Sequence, residues 1–389
     1  MNTKMKFTAI ASSLLLAAVL VGCPGKARQK ESAMDTPEHH TKVGERLMAE
    51  EKWDEATREF ELAIQLDPKF AAAYVGRGLV KAAKKEWKGA QEDLEKALDV
   101  AKSKGDKAAA HTGMVRLLTE QRPDKDWIED AEDHYEQAID LDAKYSAAYY
   151  YFGVAQKKAF NFEKAGDLFK KVLDLNTDFV PEATREWRLV QDIQLAAPGS
   201  EIGKQIALID KLTRADAAAL FIEELNLSKL YKVRGKKQFD TSFKAPDAQT
   251  KMQTETMVKM AEATDIANHV LKADIDEALK IGIRGLEAYP DHTFKADETV
   301  AKAEYAVMIE DILIKITGDQ DLATKFIGDT SPFPDVRNDA PYFNAIMVCS
   351  SRQILGAKDL STGEFGAKDP ITGASALLAI RKLKEALQI

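Results

Sequence analysis

Apolar side chains recur along the first half of the chain at helical spacing. Ala56, Phe60 and Ala63 form a first trio, followed by Ala90, Leu94 and Ala97, by Ala131, Tyr135 and Ala138, and by Ala165, Phe169 and Val172. Each trio falls at i, i+4 and i+7, which places its three side chains on one face of an α-helix. The leading alanines lie 34, 41 and 34 residues apart, so the pattern is an internal repeat. A glycine on the helix before each trio (Gly44, Gly78, Gly113, Gly153) marks a place where two helices must approach closely. Asp67-Pro68 closes the first unit with a residue that cannot continue a helix. The seven extra residues of the 41-residue interval are expected between the two helices of the third unit, at Arg122-Pro123-Asp124-Lys125-Asp126.

These residues make the segment from 37 to 179 resemble a tetratricopeptide array of four repeats, an all-α helical solenoid. A helix from Pro181 to Ala197, within a capping and linking segment 180–199, is expected to cover the open end, because a terminal repeat otherwise exposes an apolar face. The resemblance implies a concave groove that takes a peptide or protein partner, with Glu45, Val75, Leu79, Tyr150 and Val154 at groove positions. The Lys and Asn ladder with which some members clamp a terminal carboxylate is missing. The groove therefore reads as an apolar seat for a helix or extended segment, with an inert spacer as the alternative.

After Pro198-Gly199 the pattern changes. Asp265-Ile266 leads to a helical stretch from Asp274 to Leu279, then to Gly282-Ile283 and Gly285, Tyr289-Pro290-Asp291-His292-Thr293-Phe294, and a helix containing Ala303, Ala306 and Ile309. Phe333-Pro334-Asp335-Val336, the stretch Phe343 to Val348, Ile354-Leu355-Gly356, Gly363-Glu364-Phe365 and a helix from about Ile371 repeat that order. A third copy of the closing helix begins at Leu212-Thr213-Arg214-Ala215-Asp216. The order resembles the S-layer homology (SLH) domain, a mainly helical prism of three units, here about 200–235, 239–316 and 333–389 of a domain spanning 200–389, with Phe239-Asp240 opening the second.

In that family a Thr-Arg-Ala-Glu motif helps to form pockets for cell-wall polysaccharide, often bearing a pyruvate carboxylate. The resemblance carries that role to Thr213, Arg214 and Asp216 in the first unit, and to Lys302 and Glu304 of Ala301-Lys302-Ala303-Glu304 in the second. An Arg fork matches a carboxylate bidentately and a helix N-terminus adds partial positive charge. The third unit has Thr372-Gly373-Ala374-Ser375, which lacks both charges. Glycan binding and a purely structural domain both remain open on these residues.

The chain starts with Lys4 and Lys6, an apolar run from Phe7 to Leu20 broken only by Thr8, Ser12 and Ser13, and then Val21-Gly22-Cys23. A charged start, a short apolar run and a small-residue end predict an export signal over residues 1–22. Leu20-Val21-Gly22-Cys23 resembles the lipobox of bacterial lipoproteins, which implies cleavage before Cys23 and lipidation of that cysteine. Residues 23–36 then read as a lipidated, flexible tether. Pro24 follows the cysteine, where lipoproteins kept at an inner membrane often carry Asp. An outer membrane is therefore the expected address in a cell with two membranes, facing the periplasm or the surface.

Of 389 residues 63 are acidic and 55 basic, giving a net charge of −8 that falls to −10 when Lys4 and Lys6 are cleaved away. That balance repels phosphate backbones and argues against a nucleic-acid partner. Two cysteines, Cys23 and Cys349, supply neither a disulfide framework nor a zinc cluster. Cys349 follows Ala345-Ile346-Met347-Val348 and reads as a buried thiol. Gly199 to Gln205 is one residue short of a phosphate loop and lacks its Ser or Thr. His269 beside Asp265 reads as a packing residue, and Asp329, Asp335 and Asp339 lack a calcium-loop spacing. No catalytic constellation, metal site or cofactor is expected. The reading is a non-enzymatic envelope lipoprotein with a protein-binding scaffold and a glycan-contacting module, or alternatively a structural or assembly factor of an envelope complex.

Overall fold

The computed structural model describes residues 28–234 and 263–389. The expected signal peptide, Cys23 and Phe239-Asp240 lie outside those residues. Among the described residues the protein is all-α, with sixteen α-helices and no strand beyond isolated bridges. The chain divides into two compact units, up to Ala143 and from Lys144. The break anticipated after residue 199 falls inside the second.

The first unit contains three helix pairs: α1 (Pro37–Ala49) with α2 (Trp53–Leu66), α3 (Ala71–Ala83) with α4 (Trp87–Val100), and α5 (Lys104–Gln121) with α6 (Trp127–Leu141). Their start signals are legible: Thr36 accepts from the His39 N–H ahead of Pro37, and Ser103 with Asp106 forms a reciprocal capping box. The trios do what their spacing predicts. Ala56, Phe60, Ala63, Ala90, Leu94 and Ala97 are all fully buried, whereas Tyr135 of the third trio is only partly so.

The glycines explain the closeness of the pairs. A Cβ on Gly44 would stand 2.8 Å from the Phe60 ring, one on Gly76 2.2 Å from the same ring, and one on Gly113 2.6 Å from Leu94. One aromatic ring on α2 is thus packed by glycines from the helices on either side. The turn inside each pair is also repeated, with Glu51 and Lys85 in left-handed conformation at φ 57° and 62°.

The additional length of the third repeat is not confined to residues 122–126. Helix α5 has 18 residues where α1 and α3 have 13, and it ends only at the left-handed Arg122 before Pro123. The flexible tether needs a similar correction, because residues 28–36 are held. Arg28 donates its backbone N–H to the Gln65 carbonyl and its guanidinium to Glu31 and Asp35. His40 sits between Asp35 (2.9 Å) and Glu59 (2.6 Å).

The second unit opens with the fourth pair, α7 (Ser146–Lys158) and α8 (Phe162–Leu175), in which Gly153 faces Phe169 at 2.7 Å for an added Cβ. Helix α9 (Val180–Ala196) follows and packs on α8 as the predicted cap. It also packs on α16 (Gly373–Leu387), so one helix closes the repeats and supports the C-terminal segments. Between them lie α10 (Glu201–Ala207), α11 (Arg214–Ala219) prolonged by a π-helical turn over Leu220–Glu224, α12 (Leu227–Arg234), α13 (Lys272–Ile281), α14 (Lys302–Thr317) and α15 (Phe343–Ser351).

The helices α11, α14 and α16 begin at equivalent places around a closed ring of backbone hydrogen bonds. Leu212 donates to the Ile371 carbonyl (2.9 Å), Ile371 to Val300 (3.1 Å), and Val300 to Leu212 (2.9 Å). Each of these residues is buried and each stands two positions before the first residue of its helix. Inside the ring Phe221 stacks on Tyr305 at 5.4 Å, and the Tyr305 hydroxyl donates to the Ala376 carbonyl. A buried hydroxyl needs such a partner. The starts of α11, α14 and α16 are thereby hydrogen-bonded to one another in a three-membered arrangement.

One pH effect arises in the first unit. His111 on α5 and His134 on α6 face each other with Nδ1 atoms 3.1 Å apart. Desolvation lowers both pKa values, and the neighbouring His134 and Lys107 depress His111 further. The unfolded chain therefore binds more protons here below about 6.5, so the stability this pair contributes is present above that pH and lost as pH falls. His40 behaves oppositely. Burial opposes its charge, but the hydrogen bonds to Glu59 and Asp35 outweigh it and raise the pKa, so its contribution is present below about 6.5 and lost as pH rises through the folded value. Thermal melts between pH 7.5 and 5.5 check both signs. Acidification is expected to destabilise His40→Gln more steeply than the native chain, and the double variant His111→Gln, His134→Gln less steeply; identical slopes in all three would show that neither site is linked to folding.

Candidate functional site

Arg214 is the first residue of α11, and the fold spends its fork. Its Nε donates to the Phe294 carbonyl (2.9 Å), one terminal nitrogen to Gly285 (2.6 Å) and the other to Glu287 (2.8 Å). The guanidinium lies against the rings of Tyr289 and Phe294 at 5.0 and 4.8 Å and is 8% exposed. Three of its five donors are thereby committed to closing the loop 285–294. Thr213 and Asp216 are similarly engaged, in the capping box that starts α11.

Lys302 at the equivalent place on α14 does the same with fewer donors. Its Nζ reaches the carbonyls of Gly356 (2.7 Å) and Phe365 (2.8 Å) and sits 4.2 Å above the Phe365 ring. Burial depresses its pKa to about 8. Asp265 and Asp335 hold the opposite ends of the two loops, Asp265 accepting from the Phe294 and Lys295 N–H groups and Asp335 from Phe365, Gly366 and Ala367. Those carboxylates are thus loop anchors and not metal ligands. At the third place, Gly373, there is no side chain because there is no room: an added Cβ would stand 1.7 Å from the Ile206 carbonyl oxygen.

Beside Arg214 lies a cavity of about 470 Å³. Its walls include Ala288, Tyr289 and Pro290 from the second unit's loop, Glu304 and Val307 from α14, and Pro341 and Tyr342 ahead of α15. Arg284 also faces it, with its side chain 45% exposed and one nitrogen on the buried carboxylate of Glu310. Glu310 accepts in addition from Asn344, and Asn344 donates to the Leu322 carbonyl. Of the residues singled out from sequence, the cavity brings together Arg214 and Glu304. Thr213, Asp216 and Lys302 do not line it. Arg284, Tyr289 and Tyr342 were missed, although the apolar and aromatic character of Tyr289-Pro290 and Pro341-Tyr342 is a legible signal for a ring-shaped ligand.

The groove positions of the repeats are described unit by unit. In the first, Val75 is partly buried and already packs among Leu94, Met114 and Ala110, and Leu79 is half-buried. Glu45 is exposed, yet enough atoms surround it for desolvation to raise its carboxyl pKa. In the second, Tyr150 stacks on Phe179 at 4.9 Å, with Tyr151 edge-on to the same ring, and burial pushes the Tyr150 hydroxyl up to about 12. Val154 is half-buried beside them in sequence on α7. Phe179 escaped the sequence reading because it belongs to none of the apolar trios and stands at the very end of the array, in a left-handed turn (φ 64°) ahead of α9.

The other candidates are structural. Cys349 is buried, donates to the Ala306 carbonyl, and has its pKa raised by desolvation. His269 accepts from the Leu271 N–H. Among the described residues no cluster of three or more His, Cys, Asp or Glu forms a metal site, and no helix is long and apolar enough to cross a membrane.

No protein-family model matches the chain, and no curated protein matches it in sequence. Similar solved structures include YrrB, a TPR protein with an unusual peptide-binding site, at 20% identity over 40% of this chain and 76% of that one, with a TM-score of 0.26. TTC0263, a thermophilic TPR protein of Thermus thermophilus, is 16% identical over 51% of this chain and 97% of its own, with a TM-score of 0.35. PilF of Pseudomonas aeruginosa is 17% identical over 51% and 90%, with a TM-score of 0.32. At scores of this size the tetratricopeptide assignment stands on the helix pairs, glycine contacts and turns described above.

Proposed function

We propose that the protein is a non-enzymatic scaffold of the cell envelope, held at a membrane by lipid on Cys23, with a repeat array that receives a protein partner and an SLH-like module that attaches to cell-wall glycan. The observation that carries the glycan reading is the cavity of about 470 Å³ between the second unit's loop and α14, walled by Tyr289, Pro290, Pro341 and Tyr342. Flat aromatic and proline surfaces beside a few polar groups suit a saccharide ring. The array suits a partner because its first helices present Val75, Leu79, Tyr150 and Val154 as half-buried apolar positions.

A second reading has an observation of its own. Arg214 and Lys302 are both consumed by loop carbonyls, which favours a structural module in an assembly factor whose two parts bind only proteins. Sedimentation with purified wall material separates the readings: co-sedimentation of the native chain is expected, and its absence, with one stoichiometric protein crosslinked in the native envelope, would establish the assembly role. For the anchor, Cys23→Ser is expected to release the protein from membranes, since several acyl chains at about 0.8 kcal/mol per buried CH₂ hold it there. A processed variant that still pellets fully with membranes would refute lipid anchoring.

A further inference from the structure

We propose that residues 28–36 are a pH-sensitive strap, closed on the first helix pair while His40 is an imidazolium and released from it, with the helices intact, when His40 loses its charge. The first ground is where the apolar residues lie. In 28–36 Asp35 alone is buried, whereas Ala33 and Met34, the apolar residues of the segment, are exposed. Hydrophobic burial therefore does not hold the strap down, and its attachment is polar. Among the described residues, the hydrogen bonds that cross to the helices, besides the Thr36 cap at the start of α1, are two. The Arg28 N–H meets the Gln65 carbonyl at the end of α2 (2.7 Å), and the Asp35 carboxylate meets the His40 ring on α1 (2.9 Å).

The second ground is the arrangement at His40. Both ring nitrogens face a carboxylate, Nδ1 towards Glu59 of α2 at 2.6 Å and Nε2 towards Asp35 at 2.9 Å. A neutral imidazole has one N–H, so it donates to one carboxylate and turns a lone pair on the other; an imidazolium donates to both. Asp35 does not carry the proton for a neutral ring, because the Glu31 N–H, the His40 ring and the Arg28 guanidinium together lower its pKa. Nor do other cations replace the charge of the ring. Arg28 is already shared by Glu31 and Asp35, and Arg77 and Lys81 of α3, the other helix packed on α1, are turned to Asp93 of α4. His39 meets His40 edge-on, with ring centres 5.8 Å apart. Loss of the His40 proton thus leaves two carboxylates on a neutral ring with a donor for one of them, and the strap loses its hold on α1. The hydrogen bonds to Glu59 and Asp35 outweigh the desolvation that opposes the charge and raise the His40 pKa. The strap is accordingly held below about pH 6.5 and freed as pH rises through the folded value. Opening uncovers the Gln65 carbonyl and lengthens the free chain ahead of α1.

The test is amide hydrogen exchange of the detergent-solubilised full chain, read by mass spectrometry at about pH 5.5 and 8.5 and corrected for intrinsic exchange rates, a range that spans the titration of histidine. Protection of residues 28–36 is expected to fall about tenfold or more at the higher pH, in keeping with loss of a hydrogen bond to a charged group, while peptides of α2 and α4 keep theirs. In His40→Gln, which is uncharged at both pH values, the strap is expected to exchange fast at both, with the α2 and α4 peptides reporting that the variant is folded. Three results would overturn the proposal: equal protection of the native strap at the two pH values, loss of protection in α2 in step with the strap, or a pH-dependent loss that persists in His40→Gln. The first two are read on the native chain alone, so an unfolded variant does not remove the test. None of these outcomes depends on lipid at Cys23 or on a glycan ligand.

Discussion

Gly373→Ala is expected to destabilise residues 144–389 by about 3 kcal/mol. The added methyl would stand 1.7 Å from the Ile206 carbonyl oxygen and 2.7 Å from its carbon, and backbone atoms cannot swing aside as a side chain can. Relief requires α16 to move away from the segment 206–209. That segment is fixed by the Gly373 N–H on the Ile209 carbonyl, and α16 is fixed through Ile371 and its two partners in the backbone ring. Overpacking of this kind costs about 1–3 kcal/mol and sometimes more, which for a unit of this size lowers the melting midpoint by about 6–12 °C. Gly356→Ala is the matched control, because an added Cβ there meets nothing within 4 Å. A Gly373 variant that melts with the control would show that the ring opens without cost.

A chain comprising only residues 200–389 is expected not to fold cooperatively, while residues 144–389 melt in a single transition. The shorter chain keeps every segment that resembles the SLH order but loses α9, whose buried stripe Ala183, Val190, Ile193 and Ala196 lies between α8 and α16. Fully burying one Val or Ile contributes about 1.5–3 kcal/mol, so removing this layer takes several kcal/mol from a domain stability of about 5–15 kcal/mol. It also leaves the apolar face of α16 in water. Calorimetry and near-ultraviolet dichroism of the two chains decide the matter. A cooperative transition in residues 200–389 near the midpoint of the longer chain would mean that α9 serves the repeats alone.

The parts of this architecture that were legible share a physical cause. Ala56, Phe60 and Ala63, and their later counterparts, are buried on one side of a helix whose other side is wet, so the sequence alternates with the helical period. Helix α5 breaks the rule. It buries Ala108, Ala110, Thr112, Gly113, Met114, Val115, Leu117 and Thr119, which lie on more than one face, and without a polar face its ends cannot be located from periodicity. The extra residues of the third repeat were therefore assigned to the visible loop instead of to the helix.

The site was legible as motif and illegible as chemistry. Thr213-Arg214 marks the start of a closing helix, and the structure agrees. What the motif cannot convey is that Arg214 meets the carbonyls of Gly285, Glu287 and Phe294, since any residue carries a carbonyl and only the fold selects which ones converge. Thr372-Gly373 looked like a decayed binding motif because both charges are missing. Its glycine is instead the consequence of the closest approach in the ring, where the Ile206 carbonyl takes the space a side chain would need.

The docking of residues 28–36 on the first helix pair fixes the length of the leash. With lipid on Cys23, the path to Arg28 is five residues, at most about 17 Å when fully stretched. The Arg28, Asp35, His40 and Glu59 cluster holds residues 28–36 on the first helix pair, so under that proposal the first repeat would stay within about three turns of helix pitch of the headgroups instead of ranging on a free fourteen-residue tether. On the proposal that Cys23 carries lipid, a partner entering the groove of α1 and α3 would have to be one that can approach a bilayer.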